Sequence, residues 1–338
     1  MKTAIYYGDR ISVEERAIPT IGENDVLLRN LRGGICGTDT PIVRSGSTNM
    51  GIAYGAEMGH EMVGEVVEIG EKVSSSIYKG MIAAVNPITA KRVGRRESLM
   101  CGAFSQYIVI EDAVLDYNLY EIDKNVPPEI AALVEPISVG RHGAFRSNPQ
   151  KSDNIVVLGA GAVGLGAAAS LMAEGIENVC VVDKDAWRLD VAKSLGAKTL
   201  NTSETSLQEG LTAIFGEADV YGQKFPNVDI FVDAAGALFL ITEVMKIVKS
   251  GTKISIIAVY KTEVPTSFYQ IMSKEVQIIG ASGYTKEDMK SVVRNINSGR
   301  MNNIGNIVSK VYKLDNIQEA FQTAINAEKV IKVLVDLT

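Results

Sequence analysis

Two patterns of apolar residues divide the chain. Before about residue 128 the apolar runs are short and β-branched. DVLLRNL (25–31) and MVGEVVEI (62–69), each bounded by turn-forming residues, predict strands. Segments punctuated by Gly, Ser and Pro, such as RSGSTNMG (44–51) and VSSSIYKG (73–80), predict the loops around them. The first helical period opens with PPEIAALVEPISVGRHGAF.

From residue 153 strands and helices alternate. NIVVL (154–158), VCVVD (179–183), VDIFVDAAG (228–236), KISIIAV (253–259) and VQIIG (276–280) are apolar runs of strand length. Helical segments separate them, the first two over 162–174 and 186–197. This alternation predicts an α/β domain with a doubly wound parallel sheet. After about residue 286 come a helix (KEDMKSVVRNINSG), a strand (IVSKVY), a second helix (NIQEAFQTAIN) and a second strand (VIKVLVDL). Spacing leaves open whether this tail extends the sheet or rejoins the first part of the chain.

Length and composition narrow the functional classes. A chain of 338 residues suits two domains. The net charge of −6, without a basic block, argues against a nucleic-acid partner. KRVGRR (91–96) is too short to change that and reads as a solvated loop. Cys36, Cys101 and Cys180 cannot form a disulfide framework, which points to reduced thiols and a cytoplasmic protein. MKTAIYYGDR lacks the apolar core of a signal peptide. Residues 155–173 carry no charge, yet their four glycines fit a buried strand, turn and helix better than a membrane span.

GAGAVG supplies Gly159, Gly161 and Gly164, with Ala162 and Val163 between the last two, directly after a strand and opening a helix. In that context the motif predicts a dinucleotide-binding turn, where backbone N–H groups and a helix N-terminus meet a pyrophosphate. Asp183 closes the next strand, about 20 residues on, where a carboxylate accepts ribose hydroxyls and repels a 2′-phosphate. NAD is therefore expected over NADP, with helix capping as the plainer role for Asp183. Lys184 and Arg188 keep NADP in view, and Arg188 joins the candidate cofactor contacts.

Only two histidines occur. His60 stands in EMGHEMVG beside Glu61, and His142 in LVEPISVGRHG with Glu135; Cys36 lies upstream in GGICGTD. Cysteine, histidine and glutamate form a donor mix suited to zinc. Their wide separation does not establish a site, and a packed cysteine with a satisfied surface histidine is the plainer alternative.

Taken together, GICGTD, GHE-x-x-G-x-V-x-x-x-G, GAGAVG and the closing EAF…IKVLV resemble the zinc-dependent medium-chain dehydrogenase/reductases, in the family's order and over almost the whole chain. The EPISVG segment is similar to the sorbitol-dehydrogenase-like branch. The resemblance implies a GroES-like β domain over 1–146 and 287–338, and a Rossmann domain over 147–286, with the active site in the cleft between them. It implies Cys36 and His60 as ligands of one catalytic zinc, Glu61 as a carboxylate that ligates zinc or exchanges with water, and Glu135 as a ligand of the zinc or its water. It also implies Asp39 as the carboxylate orienting His60, and Thr38 as the hydroxyl relaying the substrate's proton, while His142 reads as structural. The implied reaction moves hydride between a secondary alcohol (a polyol, vicinal diol, cyclitol or sugar) and NAD, in a homodimer or homotetramer.

Three departures limit the resemblance. The lobe 86–107 contains Cys101 alone, so no second, structural zinc held by four cysteines is expected. Pro41 replaces a histidine that extends the proton relay in many relatives. SGY at 282–284 keeps Tyr284 but puts Gly283 where polyol-binding relatives carry arginine, which puts a straight-chain hexitol in doubt. A threonine-dehydrogenase-like enzyme is the alternative substrate class, and a zinc-free reductase or nucleotide-binding protein on the same fold the alternative chemistry.

Overall fold

The computed structural model describes residues 1–8, 10–45, 52, 54–90, 102–326 and 328–338. KRVGRR, Cys101 and most of the 44–51 loop lie outside the described residues. The chain forms two compact units, residues 1–136 with 289–338, and residues 137–288.

In the first unit, β1 (Lys2–Tyr6) and β2 (Ile11–Glu15) form a hairpin, followed by the nine-residue β3 (Val26–Gly34) and the short α1 (Asp39–Ser45). Next come β4 (Glu61–Ile69), β5 (Ile82–Val85), β6 (Tyr107–Ile110), β7 (Leu119–Ile122) and α2 (Pro128–Ala131); α3 (Val134–Arg146) begins here. β3 pairs antiparallel with β4 and β6, because Val26, Leu28, Met62 and Val66 share one buried face.

The second unit alternates as its sequence does: β8 (Ile155–Leu158), α4 (Ala162–Ala173), β9 (Val179–Asp183), α5 (Ala186–Ser194), β10 (Lys198–Asn201) and α6 (Leu207–Phe215). A hairpin, β11 (Glu217–Val220) and β12 (Gln223–Pro226), interrupts the alternation, and its pattern escaped the sequence reading. Tyr221 (φ 52°) and Gly222 (φ 81°) at its tip have the two positive φ values of a tight hairpin turn. Then follow β13 (Ile230–Asp233), α7 (Leu238–Ile247), β14 (Lys253–Ile256), α8 (Phe268–Ser273), β15 (Gln277–Gly280) and the start of α9 (Lys286–Asn297). All pairings in the six-stranded sheet are parallel, in the order β10-β9-β8-β13-β14-β15. The order reverses between β8 and β13. All four residues of β8 are buried, as a central parallel strand requires.

The tail ends with β16 (Val308–Lys313), α10 (Ile317–Asn326) and β17 (Lys332–Asp336), and it joins the sheet of the first unit. β17 lies between β16 and β3, parallel to one and antiparallel to the other. α10 packs Phe321 edge-on against Phe104, ring centroids 5.8 Å apart, in the core that also holds Val333 and Val335. Among the described residues no helix is long and apolar enough to cross a membrane.

Candidate metal centre and nucleotide turn

Strand register in the first unit converges on one point. Gly34, at the end of β3, stands opposite Glu61 on β4 and Leu334 on β17. Beyond it the chain leaves the sheet, with Ile35 N still donating to Val333 O at 3.0 Å. Cys36 follows directly. A side chain at 34 would fill the space of the carboxylate opposite, since an ideal Cβ there would lie 2.1 Å from Glu61 Oε2. Glycine is the residue that lets Glu61 turn inward.

Cys36, His60 and Glu61 each bring one ligand atom into a group whose members all lie within 4.8 Å of one another. Ligand atoms around a tetrahedral zinc lie roughly 3.6 Å apart, so small side-chain movements close this group onto an ion. The GTD turn builds the support. The Cys36 N–H donates to Asp39 Oδ2 at 2.9 Å, and Asp39 N donates back to Cys36 O at 3.0 Å. Asp39 is fully buried, its Oδ1 makes no hydrogen bond, and that oxygen lies 3.7 Å from His60 Nδ1. A carboxylate facing Nδ1 leaves the imidazole's other nitrogen for a metal. Burial disfavours a charged imidazole, yet Asp39 and then Cys36 outweigh it and hold the pKa of His60 well above its usual value. Burial raises that of Asp39. Thr38 Oγ1 donates to Cys36 Sγ at 3.2 Å, which leaves its oxygen lone pairs open to a further donor.

Glu61 has a second partner that the sequence did not announce. Lys332, at the start of β17, donates to both carboxylate oxygens at 2.7 and 2.8 Å and to Ile35 O at 3.0 Å. Its three ammonium hydrogens are thereby used, and both side chains are buried. Glu61 is thus within reach of the cluster while held by a cation. Glu135, buried in the first turn of α3, acts on His60 and Lys332 through its charge but is not one of the three clustered residues. The donor set and its buried support fit one zinc ion.

His142 belongs to the second unit, its Nδ1 2.8 Å from Asp288 Oδ2. Tyr284 is buried in the same unit.

GAGAVG occupies the turn between β8 and α4. Gly159 (φ 97°) takes a conformation open to glycine, and an ideal Cβ there would lie 3.2 Å from Ala235. Gly161 is the helix N-cap, with open space where a Cβ would stand and no side chain bonded to the first helical N–H groups. Ala162 and Val163 begin the helix, so no side chain caps the first N–H donors at the positive end of α4. That suits a pyrophosphate. Asp183 is not the helix cap; Asp185 is, accepting from Trp187 N and Arg188 N. Asp183 accepts from Ala160 N at 2.8 Å through Oδ2, and from Lys184 N and Asp185 N through Oδ1. Arg188 Nε lies 3.9 Å from Asp185 Oδ2.

Comparison with known proteins bears on both units. Residues 22–117 match the alcohol dehydrogenase GroES-like domain, and residues 162–298 match zinc-binding dehydrogenase, together more than half of the chain. L-threonine 3-dehydrogenase of Paraburkholderia phytofirmans is 28% identical, over 95% of this chain and 94% of that one. Sorbitol dehydrogenase of Bacillus subtilis is also 28% identical, over 99% of this chain and 97% of that one. The crystal structure of 2R,3R-butanediol dehydrogenase from Bacillus subtilis superposes with a TM-score of 0.84 at 22% identity, covering 99% of each chain. That likeness carries the fold.

Proposed function

Because the chain belongs to the zinc-dependent medium-chain dehydrogenases, a family of oxidoreductases, we propose that it transfers hydride between a secondary alcohol and NAD, the alcohol being a polyol, vicinal diol, cyclitol or sugar. The convergence of Cys36, His60 and Glu61 beside the buried Asp39 carries this reading. Zinc held by Cys36 and His60 would supply Lewis acidity, lowering the pKa of an alcohol hydroxyl. NAD would supply the hydride acceptor. Asp39 faces the imidazole and orients it by charge. Thr38, anchored on Cys36 Sγ, offers its oxygen to the departing hydroxyl proton. Pro41 cannot carry that proton onward, so it leaves through water or a ribose hydroxyl. Glu135 contributes charge, and Glu61, held by Lys332, would be the third donor available to the metal.

One zinc per chain is proposed, since the sequence holds too few cysteines for a four-thiolate site. A metal assay coupled with NADH formation across diols, cyclitols, sugars and threonine tests the reading. Oxidation of a diol or cyclitol with about one zinc per chain supports it. Turnover of threonine alone would move the enzyme to the amino-alcohol class, which the 28% identity to L-threonine 3-dehydrogenase keeps in play. A chain without zinc would remove the chemistry altogether.

NAD preference rests on Asp183, with Asp185 as a second carboxylate nearby. Asp183→Ala is expected to lower kcat/KM for NAD by about tenfold or more and to raise the relative use of NADP. Steady-state kinetics with both dinucleotides reads this, and an unchanged ratio sinks the assignment. A homodimer or homotetramer is also proposed, supported by the outer edge of β15 and the exposed Phe268, Tyr269, Met272 and Ile278. Sedimentation equilibrium measures it directly.

A further inference from the structure

One buried carboxylate ties together two loops of the second unit. Asp233 ends β13 and is 1% exposed. Its Oδ1 accepts from Ala235 N at 3.0 Å and Gly236 N at 3.1 Å. Its backbone oxygen accepts from Ile257 N at 2.9 Å and Ala258 N at 3.0 Å, at the start of the loop after β14. Oδ2 accepts from the Tyr260 hydroxyl at 2.5 Å, which fastens that loop a second time. The two segments touch, since an ideal Cβ at Gly236 would lie 3.1 Å from Val259 O. The first of them also adjoins the glycine turn, through Ala235 and Gly159.

The position of this tie matters. In a doubly wound sheet, ligands lie beyond the carboxyl ends of the strands, at the point where strand order reverses. Here that point lies between β8 and β13, and Asp233 and Tyr260 stand at those ends. Asp183, on the β9 side, has the place of the adenosine ribose partner. The opposite half of the dinucleotide therefore falls to the ends of β13 and β14.

We propose that the Asp233–Tyr260 hydrogen bond sets the backbone of 234–236 and 257–260 for the nicotinamide half of the cofactor, with Tyr260 as a positioning residue. The inference rests on the dinucleotide reading of GAGAVG. Phenylalanine would satisfy the apolar packing of the ring as well, so the hydroxyl is the part that acts. Burial, and then the bond to Asp233, push the phenol's pKa up, so it stays a donor. Without it, Oδ2 of a buried carboxylate loses a charge-assisted bond, and the loop after β14 loses one of its two fastenings.

The test is Tyr260→Phe, with NADH and ADP-ribose titrated separately by protein fluorescence. The Kd for NADH is expected to rise about tenfold, while that for ADP-ribose, which lacks the nicotinamide, stays within about twofold. An unchanged NADH affinity overturns the proposal. So does an equal loss for both ligands, because that marks a general distortion of the sheet edge. A wild-type protein that binds neither ligand overturns the dinucleotide reading itself and this inference with it.

Discussion

Replacing Lys332 with methionine is expected to destabilise the first unit by about 3–5 kcal/mol, the cost of leaving a buried charge without its partner. Glu61 is fully buried, and Lys332 is 3% exposed. Solvent has almost no access to either group. Burial alone would lower the pKa of Lys332, but the charge of Glu61, followed by those of Cys36 and Glu135, raises it above the usual value. The ammonium is therefore charged in the folded protein throughout the neutral range. The loss is read from urea unfolding together with hydrogen exchange of the β3, β4 and β17 amides. The double variant Lys332→Met/Glu61→Gln should recover most of it, because a neutral amide needs no counter-charge. A single variant within about 1 kcal/mol of the wild type would show that the pair does not support the sheet.

Cys36→Ala is expected to remove the bound zinc and to lower kcat/KM by at least about a thousandfold, equivalent to roughly 4 kcal/mol of transition-state stabilisation. The thiolate is the softest donor in the cluster and the one that Thr38 leans on. Nothing else among the described residues of the first unit offers a replacement, since the one other described cysteine, Cys180, lies buried in β9. The fold should persist, because the Cys36 contacts that hold the turn to Asp39 are made by its backbone. NADH affinity should also persist, because the glycine turn belongs to the other unit. Metal analysis beside kinetics separates these effects. Retention of both zinc and activity would refute the metal centre.

The strands of the second unit were legible because a parallel strand buried on both faces writes a continuous apolar run, as IVVL and VCVVD do. The nucleotide turn was legible because its glycines stand between such a strand and a helix. Cys36 and His60 are legible through motif resemblance alone, and their proximity does not follow from spacing, since it depends on the pairing of β3 with β4. Lys332 escaped notice. A lysine in a strand ordinarily faces solvent, and VIKVLV reads at first as such a case. A signal was present, though: residues of both parities around it are apolar, so neither face of β17 is wet and the lysine must be buried as well. The Asp233–Tyr260 bond escaped for another reason, because nothing local in VDAAG or AVYK reports a contact between consecutive loops.

Translation runs in one direction, and the insertion of β17 between β16 and β3 sets that direction against the layout of the first unit. Residues 137–288 form a contiguous unit that leaves the ribosome whole. β3 is made far earlier than its neighbour β17, so the stretch Arg32–Gly34 that β17 covers waits through the synthesis of some 300 residues. Until β17 arrives, Glu61 has no counter-ion and the turn bearing Cys36 has no strand to hang from. The cluster of Cys36, His60 and Glu61 is therefore finished among the last parts of the molecule, although all three residues are among the first to be made.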